Sequence, residues 1–140
     1  MKTVLTFGVF DMLHLGHVRL FYNIKKTCRE KYGEEVYLKV AVQEQNFIEK
    51  FKPGTKVAYN TEERVFMLNS IKYVDEVVVY NVVADDMKVI PFDTLALGPD
   101  QTSCINMIPW CEENGKDVVF IQRTEGISSS LLREYNSKAK

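Results

Sequence analysis

The amino-acid sequence predicts an α/β fold built on one five-stranded, mostly parallel, doubly wound sheet. Short apolar runs rich in β-branched residues alternate with segments of helical periodicity from one end of the chain to the other. Such alternation is typical of parallel strands joined by helical crossovers. The 140 residues suit a single domain, and no internal repeat, linker or low-complexity tract divides them. We therefore expect one Rossmann-like domain over residues 1–140.

The first half of the chain contains three predicted strands and two predicted helices. The strands are Val4–Phe7, Val36–Val42 and Glu76–Tyr80. The first helix runs from about His17 to Tyr32 and ends at Gly33, a residue suited to a helix stop. The second helix begins at Asn60-Thr61-Glu62-Glu63, where a capping residue precedes acidic residues. The polar stretch from Gln43 to Tyr59 lacks clear periodicity and is predicted as a long loop, which in compact domains is often functional.

The second half of the chain continues the same alternation. In order, it predicts a helical patch at Met87–Ile90, a strand at Thr94–Gly98, a helix around Ile105–Asn114, a strand at Val118–Ile121 and a closing helix at Ser128–Tyr135. Doubly wound sheets bind their ligands in the crevice beyond the carboxyl ends of the strands. We therefore expect the functional residues in the segments that directly follow the strands.

Composition and charge exclude several classes of function. The formal net charge is −1 and the isoelectric point is about 6.1, so no long-range field attracts nucleic acid or an anionic membrane. No apolar run approaches the ~20 residues that span a bilayer, and the N-terminus lacks a signal-peptide pattern. Cys28, Cys104 and Cys111 show no C-x-x-C spacing and are expected to be reduced thiols. We therefore expect a cytoplasmic protein that binds neither nucleic acid nor membrane.

The segment from Gly8 to His17, GVFDMLHLGH, carries the strongest functional signal. It joins the first predicted strand to the first predicted helix, where free N–H groups and the helix dipole favour phosphate. His14 and His17 would add hydrogen-bond donors there, and they are the only two histidines of the chain. A zinc-binding pair is a second interpretation, although no third histidine is present. Ordinary capping or surface positions are a third.

A second segment with phosphate-binding character follows the last predicted strand. Residues 123–130 read RTEGISSS and combine an arginine, a glycine and hydroxyl side chains at the opening of a predicted helix. Backbone N–H groups and hydroxyls donate hydrogen bonds to phosphate oxygens, and an arginine neutralises their charge. This composition suits a triphosphate.

The two motifs, GVFDMLHLGH and RTEGISSS, resemble the cytidylyltransferase branch of the nucleotidylyltransferase superfamily. The chain is most similar there to glycerol-3-phosphate cytidylyltransferases, and Ile71–Val77, which reads IKYVDEV, also matches. The resemblance implies transfer of CMP from CTP to a small phosphorylated alcohol or similar phosphate ester, with release of pyrophosphate. It also implies Mg²⁺ on the triphosphate and a homodimer.

The resemblance assigns roles to individual residues of this sequence. Catalytic roles, which stabilise charge on the reacting phosphates, fall to His14, His17, Lys50, Lys52 and Arg123. Nucleotide-binding roles fall to Gly8, Val9, Phe10, Asp11, Gly16, Gly98, Asp100, Arg123, Thr124, Gly126, Ile127, Ser128 and Ser129. Substrate-binding roles fall to Lys56, Arg64, Lys72 and Asp75. No protein ligand for a metal is implied.

Several of these residues also have structural interpretations. The lysines could belong to a solvated loop, and Arg64 could form a surface ion pair in the first turn of its helix. Asp11 could orient the turn or a histidine, and Asp75 could simply be a strand-entry residue. Lys72 stands where relatives often carry arginine, and a lysine cannot make the same bidentate contacts.

The identity of the acceptor stays open at this point. Relatives of the glycerol phosphate type have an acidic pair and a tryptophan after the fourth strand, whereas this chain reads Gly98-Pro99-Asp100-Gln101. The predicted lysine-containing loop is also longer than in those relatives. Adenylyl transfer from ATP and a non-catalytic nucleotide-binding module are the alternative functions.

Overall fold

The structure is a parallel sheet covered by helices on both faces. The computed structural model describes residues 1–51, 53–54, 56–98 and 106–122. The strands are β1 (Lys2–Gly8), β2 (Val36–Gln43), β3 (Glu76–Tyr80), β4 (Thr94–Leu97) and β5 (Asp117–Phe120). The helices of this part of the chain are α1 (Leu15–Tyr32), α2 (Gln45–Phe51), α3 (Thr61–Asn69), α4 (Val83–Asp86) and α5 (Ile108–Glu113).

The strand order is β3-β2-β1-β4-β5, and every neighbouring pair is parallel. From β1 the chain first builds outward through β2 and β3, and it then crosses to the other side of β1 to add β4 and β5. This arrangement confirms the predicted doubly wound α/β fold. It also creates a switch point between β1 and β4, which is where such sheets bind ligands.

Two hydrophobic cores lie on opposite faces of the sheet because alternate strand residues point in opposite directions. Val4 belongs to one core and its neighbour Leu5 to the other. The first core packs α1 and α3 on the sheet through Phe21, Ile24, Cys28 and Leu68. The second packs the segments around α4 and α5 through Met87, Phe92 and Cys111. Both sides of the sheet are therefore covered, which explains why the middle of β1 and all of β4 are buried.

The structure differs from the sequence prediction in two connections. The predicted long loop from Gln43 to Tyr59 contains helix α2, whose start is held by side chains: Thr61 Oγ1 accepts from Gln45 N (3.0 Å), and Glu44 accepts from Asn46 N (2.7 Å). Helix α4 lies earlier than the predicted patch, because the Asp86 carboxylate accepts from two N–H groups just before it. The predicted closing helix at Ser128–Tyr135 lies outside the described residues.

Two further predictions bear on chemistry. Cys28 and Cys111 are buried free thiols, and burial raises the pKa of each, as expected for reduced structural cysteines. Cys104 lies outside the described residues. None of the helices in the described ranges is long and apolar enough to cross a membrane.

Candidate active site

The predicted phosphate-binding turn lies at the switch point of the sheet. It connects the carboxyl end of β1 to the start of α1, and β1 lies between β2 and β4. Gly98 directly follows β4, the strand beside β1, so it belongs to the same edge of the sheet. The turn therefore lies where a doubly wound fold places its ligand.

The turn is compact because the Phe10 ring folds back over Gly8. A Cβ atom on Gly8 would lie 2.6 Å from Phe10 Cζ. Phe10 is buried, and its ring packs against Phe21 and His17 with centroid distances of 5.4 and 5.8 Å. Gly8 thus leaves space for an aromatic ring, and that ring links the turn to one of the two histidines.

The backbone of the turn has an unusual conformation. Phe10 and Met12 have φ angles of +51° and +48°, whereas Asp11 between them is not in the positive-φ region. Non-glycine residues adopt this region at a cost of about 1–2 kcal/mol each. Turns in which successive backbone N–H groups face one side bind anions. Strained backbone of this type concentrates at functional sites.

His14 and His17 form the start of helix α1. His14 is the N-cap residue, and its Nδ1 accepts a hydrogen bond from Gly16 N over 2.9 Å. In return, His17 Nδ1 accepts from His14 N over 3.2 Å. The two half-buried rings lie 4.1 Å apart between centroids. The capping interpretation of the histidines is therefore correct, and Gly16 serves the cap through its backbone.

Capping sets the chemistry of both imidazoles. An Nδ1 atom that accepts from a backbone N–H carries no proton itself, so the neutral ring is protonated at Nε2. Both histidines are therefore held as Nε2–H donors beside the positive end of the α1 dipole. Capping and phosphate binding are compatible because they use different ring nitrogens. Among the described residues no group of three His, Cys, Asp or Glu side chains could hold a metal ion.

Asp11 does not orient either histidine. Its carboxylate accepts from Ala58 N (2.7 Å) and Tyr59 N (3.0 Å), two backbone groups at the end of the segment between α2 and α3. Both carboxylate oxygens are thus engaged by the protein, and the predicted nucleotide contact of Asp11 stays a prediction. The carboxylate instead ties the histidine turn to the chain that returns from α2.

Arg64 is a buried cation rather than a surface residue. Its side chain is fully inaccessible to solvent, which rules out the surface ion pair considered for it. Its predicted substrate-binding role stays a prediction. The guanidinium donates to the carbonyl oxygens of Val9 (3.0 Å), Gln43 (2.7 Å) and Tyr59 (3.1 Å), and to Thr61 Oγ1 (3.3 Å). Burial lowers its pKa, and the nearby Asp11 and Glu44 carboxylates oppose that effect. The Val9 carbonyl is thus used within the protein.

The lysines of the predicted loop lie on exposed positions. Lys50 is in the last turn of α2 with its ammonium 5.6 Å from the centre of the Phe47 ring, and Lys56 is exposed beyond it. Neither has a hydrogen bond to the histidine turn within the described part of the chain. Lys52 lies outside that part. Their phosphate-binding roles stay predictions.

Lys72 and Asp75 lie at the opposite edge of the sheet from the histidines. Helix α3 runs back along the sheet, so the chain reaches them just before β3 begins. The Asp75 carboxylate accepts from Leu38 N (2.7 Å) and from Lys25 Nζ (2.5 Å), and the Lys72 ammonium lies 5.1 Å from the Tyr73 ring centre. The histidines are thus at the carboxyl edge of the sheet, whereas Lys72 and Asp75 directly precede β3 at its amino edge. The substrate-binding roles of these two residues stay predictions.

Comparisons with known proteins identify the family. The cytidylyltransferase-like family model matches residues 5–135. The chain belongs to this family. It is accordingly a nucleotidyltransferase, and its curated relatives include glycerol-3-phosphate cytidylyltransferases from Staphylococcus aureus and Bacillus subtilis. They are 30% identical over all of both chains and 32% identical over 96% of each, respectively.

Other relatives of this cytidylyltransferase-like chain carry different names. An FAD synthase from Thermococcus kodakarensis is 35% identical over 93% of this chain and 77% of its own. Among solved structures, a lipopolysaccharide core biosynthesis protein from Thermoplasma volcanium superposes with a TM-score of 0.68 at 24% identity. That match covers 89% of this chain and 97% of the other, and it supports the fold.

The remaining predicted site residues of the cytidylyltransferase-like domain lie outside the described ranges. They are Asp100, Arg123, Thr124, Gly126, Ile127, Ser128 and Ser129. Their nucleotide-binding roles stay predictions.

Sequence reasoning missed the contacts that support the turn. Glu44 and Thr61 surround the Arg64 guanidinium, and Ala58 and Tyr59 bind Asp11 through their backbones. The partners of Asp11 are 47 and 48 residues away in the chain. No local signal marks such pairs.

Proposed function

We propose that this enzyme transfers CMP from CTP to a small phosphorylated alcohol or a similar phosphate ester and releases pyrophosphate. The observation that carries the proposal is the pair of imidazoles of His14 and His17 at the start of α1, each with its Nδ1 engaged by a backbone N–H. They stand beside the positive-φ backbone turn at the switch point of the sheet. Hydrogen-bond donors fixed in this way stabilise negative charge that develops on transferring phosphate.

The proposed reaction is a single in-line displacement. An oxygen of the acceptor's phosphate attacks the α-phosphorus of CTP and forms a new phosphorus–oxygen bond. The bond from the α-phosphorus to the bridging oxygen of the β-phosphate breaks, and its electron pair leaves on pyrophosphate. The protein supplies no nucleophile, so catalysis rests on positioning and on charge stabilisation.

The remaining negative charge is assigned to cations. Lys50, Lys52 and Lys56 would contact the triphosphate and the incoming phosphate, and Arg123 would contact the β- and γ-phosphates. The described residues provide no carboxylate cluster for a metal ion. We propose that Mg²⁺ enters with the triphosphate, as the resemblance implies, where it would neutralise part of the phosphate charge.

Adenylyl transfer is the second candidate, because FAD synthases of the same superfamily are 35–36% identical to this chain. Pyrophosphate release in the presence of Mg²⁺ distinguishes the two donors. We expect turnover with CTP to exceed turnover with ATP, and a preference for ATP would refute the first proposal.

An acceptor screen tests the other substrate. Labelled CTP would be incubated with glycerol phosphate, ethanolamine phosphate and choline phosphate, each beside its unphosphorylated alcohol. We expect a labelled product only from phosphorylated acceptors. A product from a free alcohol would contradict the proposed attack by a phosphate oxygen.

We also propose a homodimer in the cytoplasm, as in the family that the sequence resembles. Light scattering after size-exclusion chromatography tests the oligomeric state, and a monomer at assay concentration would refute it. Fractionation of the source cells tests the location.

A further inference from the structure

The energetic cost of burying Arg64 indicates a role beyond stability. No ion pair of Arg64 is formed among residues 1–51, 53–54, 56–98 and 106–122. Removing an arginine from water is costly, and a well-packed apolar side chain is often at least as stabilising in such a position. Three of its four acceptors are main-chain carbonyls that lie at or next to the carboxyl edge of the sheet. The position of these contacts indicates that Arg64 shapes the backbone of the candidate active site.

One of these contacts sets the direction of the first peptide of the turn. A trans peptide holds its C=O and N–H on opposite sides. Because the Val9 carbonyl accepts from Arg64, the Phe10 N–H points away from the guanidinium. Phe10 is also the first residue of the turn with a positive φ, and its ring contacts His17. A rotation of this peptide would therefore alter the positive-φ turn and a histidine together.

Arg64 and Asp11 hold the same neighbouring residue from its two sides. Asp11 accepts from Tyr59 N, and Arg64 donates to the Tyr59 carbonyl. Arg64 also donates to Val9, two residues before Asp11. The histidine turn (Gly8–His17) and the end of the lysine-bearing segment (Gln43–Tyr59) are thus joined by two side chains of opposite charge.

We propose that Arg64 and Asp11 are positioning residues that act as one unit, named here the Asp11–Arg64 clamp. The clamp holds the strained turn in the conformation that directs its N–H groups and the histidine donors at phosphate. It also fixes the point at which the lysine-bearing segment meets that turn. This inference rests on the proposed phosphoryl-transfer function and adds residues that act without touching substrate.

The test compares Arg64→Met, Arg64→Lys, Asp11→Asn and the double variant Arg64→Lys/Asp11→Asn with the wild type. Lysine keeps the charge but cannot bridge several carbonyls with a planar group, so partial rescue is expected. Arg29→Lys is the matched control, because Arg29 forms an exposed pair with Glu35 on α1. Each variant is measured for kcat, for KM of the nucleotide and for its thermal unfolding midpoint.

We expect Arg64→Met to unfold within about 5 °C of the wild type while kcat falls about 100-fold, the loss typical of reacting groups displaced by ~1 Å. KM should change less than kcat. The kcat of Arg64→Lys should lie between those of Arg64→Met and the wild type, and the kcat of Arg29→Lys should equal that of the wild type. The double variant should lose little more than the worse single variant, because the two residues act as a unit.

A folded Arg64→Met with wild-type kcat would overturn the clamp. A fall in kcat that matches the fraction of unfolded protein would also overturn the clamp. So would a fall in the double variant equal to the product of the falls in the two single variants. If Arg64→Met does not fold, wild-type kcat in both Arg64→Lys and Asp11→Asn refutes the proposal. If the wild type prefers ATP, the CTP proposal fails, but the same comparison made with ATP still tests the clamp.

Discussion

A single methyl group added at Gly8 tests whether the Phe10 ring sets the position of His17. In Gly8→Ala the new Cβ would lie 2.6, 2.7 and 3.1 Å from three ring carbons of Phe10. Carbon atoms in contact normally stay about 3.5–4.0 Å apart, so the ring must retreat by roughly 1 Å. Phe21 packs against the same ring at a centroid distance of 5.4 Å and opposes that movement.

The size of both effects follows from this geometry. Overpacking of a well-filled core costs about 1–3 kcal/mol, which corresponds to a fall of roughly 3–10 °C in the unfolding midpoint of a domain of this size. The ring also contacts His17 at 5.8 Å between centroids, so its displacement reaches the imidazole. A reacting group misplaced by ~1 Å can lose about 100-fold in rate, and we expect a loss of that order in kcat.

The assay is a double-mutant cycle of Gly8→Ala, Phe10→Leu and the double variant, with thermal unfolding and kcat measured for each. The smaller leucine side chain in the double variant should relieve the clash, so the two effects on stability should be less than additive by about 0.5–3 kcal/mol. Gly33→Ala is the control: its φ is +71° but no atom lies within 4 Å of the added Cβ, so stability should fall without a loss of kcat. Wild-type stability and kcat in Gly8→Ala, or strict additivity in the cycle, would refute the reasoning.

Three further predictions concern other parts of the molecule. His14→Asn keeps a capping acceptor but removes the Nε2–H donor, so the unfolding midpoint should hold while kcat falls about 10²–10³-fold; equal losses in both would make the residue structural. Burial and the hydrogen bond to Asp117 raise the pKa of Tyr32 to about 12, so the folded state holds this proton more tightly than the unfolded chain does. The contribution of the protonated Tyr32 to the free energy of unfolding is complete below about pH 10 and is lost as the pH rises toward 12. Urea unfolding between pH 9 and 11 should show that the free energy of unfolding falls with pH, and Tyr32→Phe should make this fall smaller. Asp75→Ala breaks the contacts to Lys25 and Leu38 at the amino edge, so it should lower the free energy of unfolding by about 1–3 kcal/mol. The kcat and KM of the folded variant should be unchanged, and a change in either would indicate that Asp75 acts in the active site.

The elements that the sequence predicted well are those whose signal is local. The strands are marked by short apolar runs. Helix α3 begins directly after its N-cap Asn60, whose side chain accepts from Glu63 N in the first turn. Helix α2 was missed because its start depends on Thr61, which accepts from Gln45 N 16 residues earlier in the chain. A contact of that range leaves no periodicity to detect.

The candidate site divides in the same way. The histidine pair was predicted because both residues lie in one short turn with a recognisable pattern. The hydrogen bonds that cap the helix through Nδ1 are visible only in the structure. Arg64 could not be placed from sequence, since an arginine in the first turn of a helix is usually exposed, and its carbonyl partners at Val9 and Gln43 are 55 and 21 residues away. The amino-edge position of Lys72 and Asp75 could not be predicted, because similarity to a motif does not say which edge of the sheet the motif occupies.

The reciprocal cap between His14 and His17 has a consequence for ligand affinity. Side chains that a ligand must immobilise on binding each cost about 0.5–1.5 kcal/mol in lost rotamer freedom. Here folding of α1 has already immobilised both imidazoles through their Nδ1 atoms, before any ligand arrives. A phosphate that binds at Nε2 therefore meets preorganised donors, and more of its interaction energy appears as affinity or rate. The entropic cost of ordering the two rings arises when helix α1 folds and does not arise again when the ligand binds.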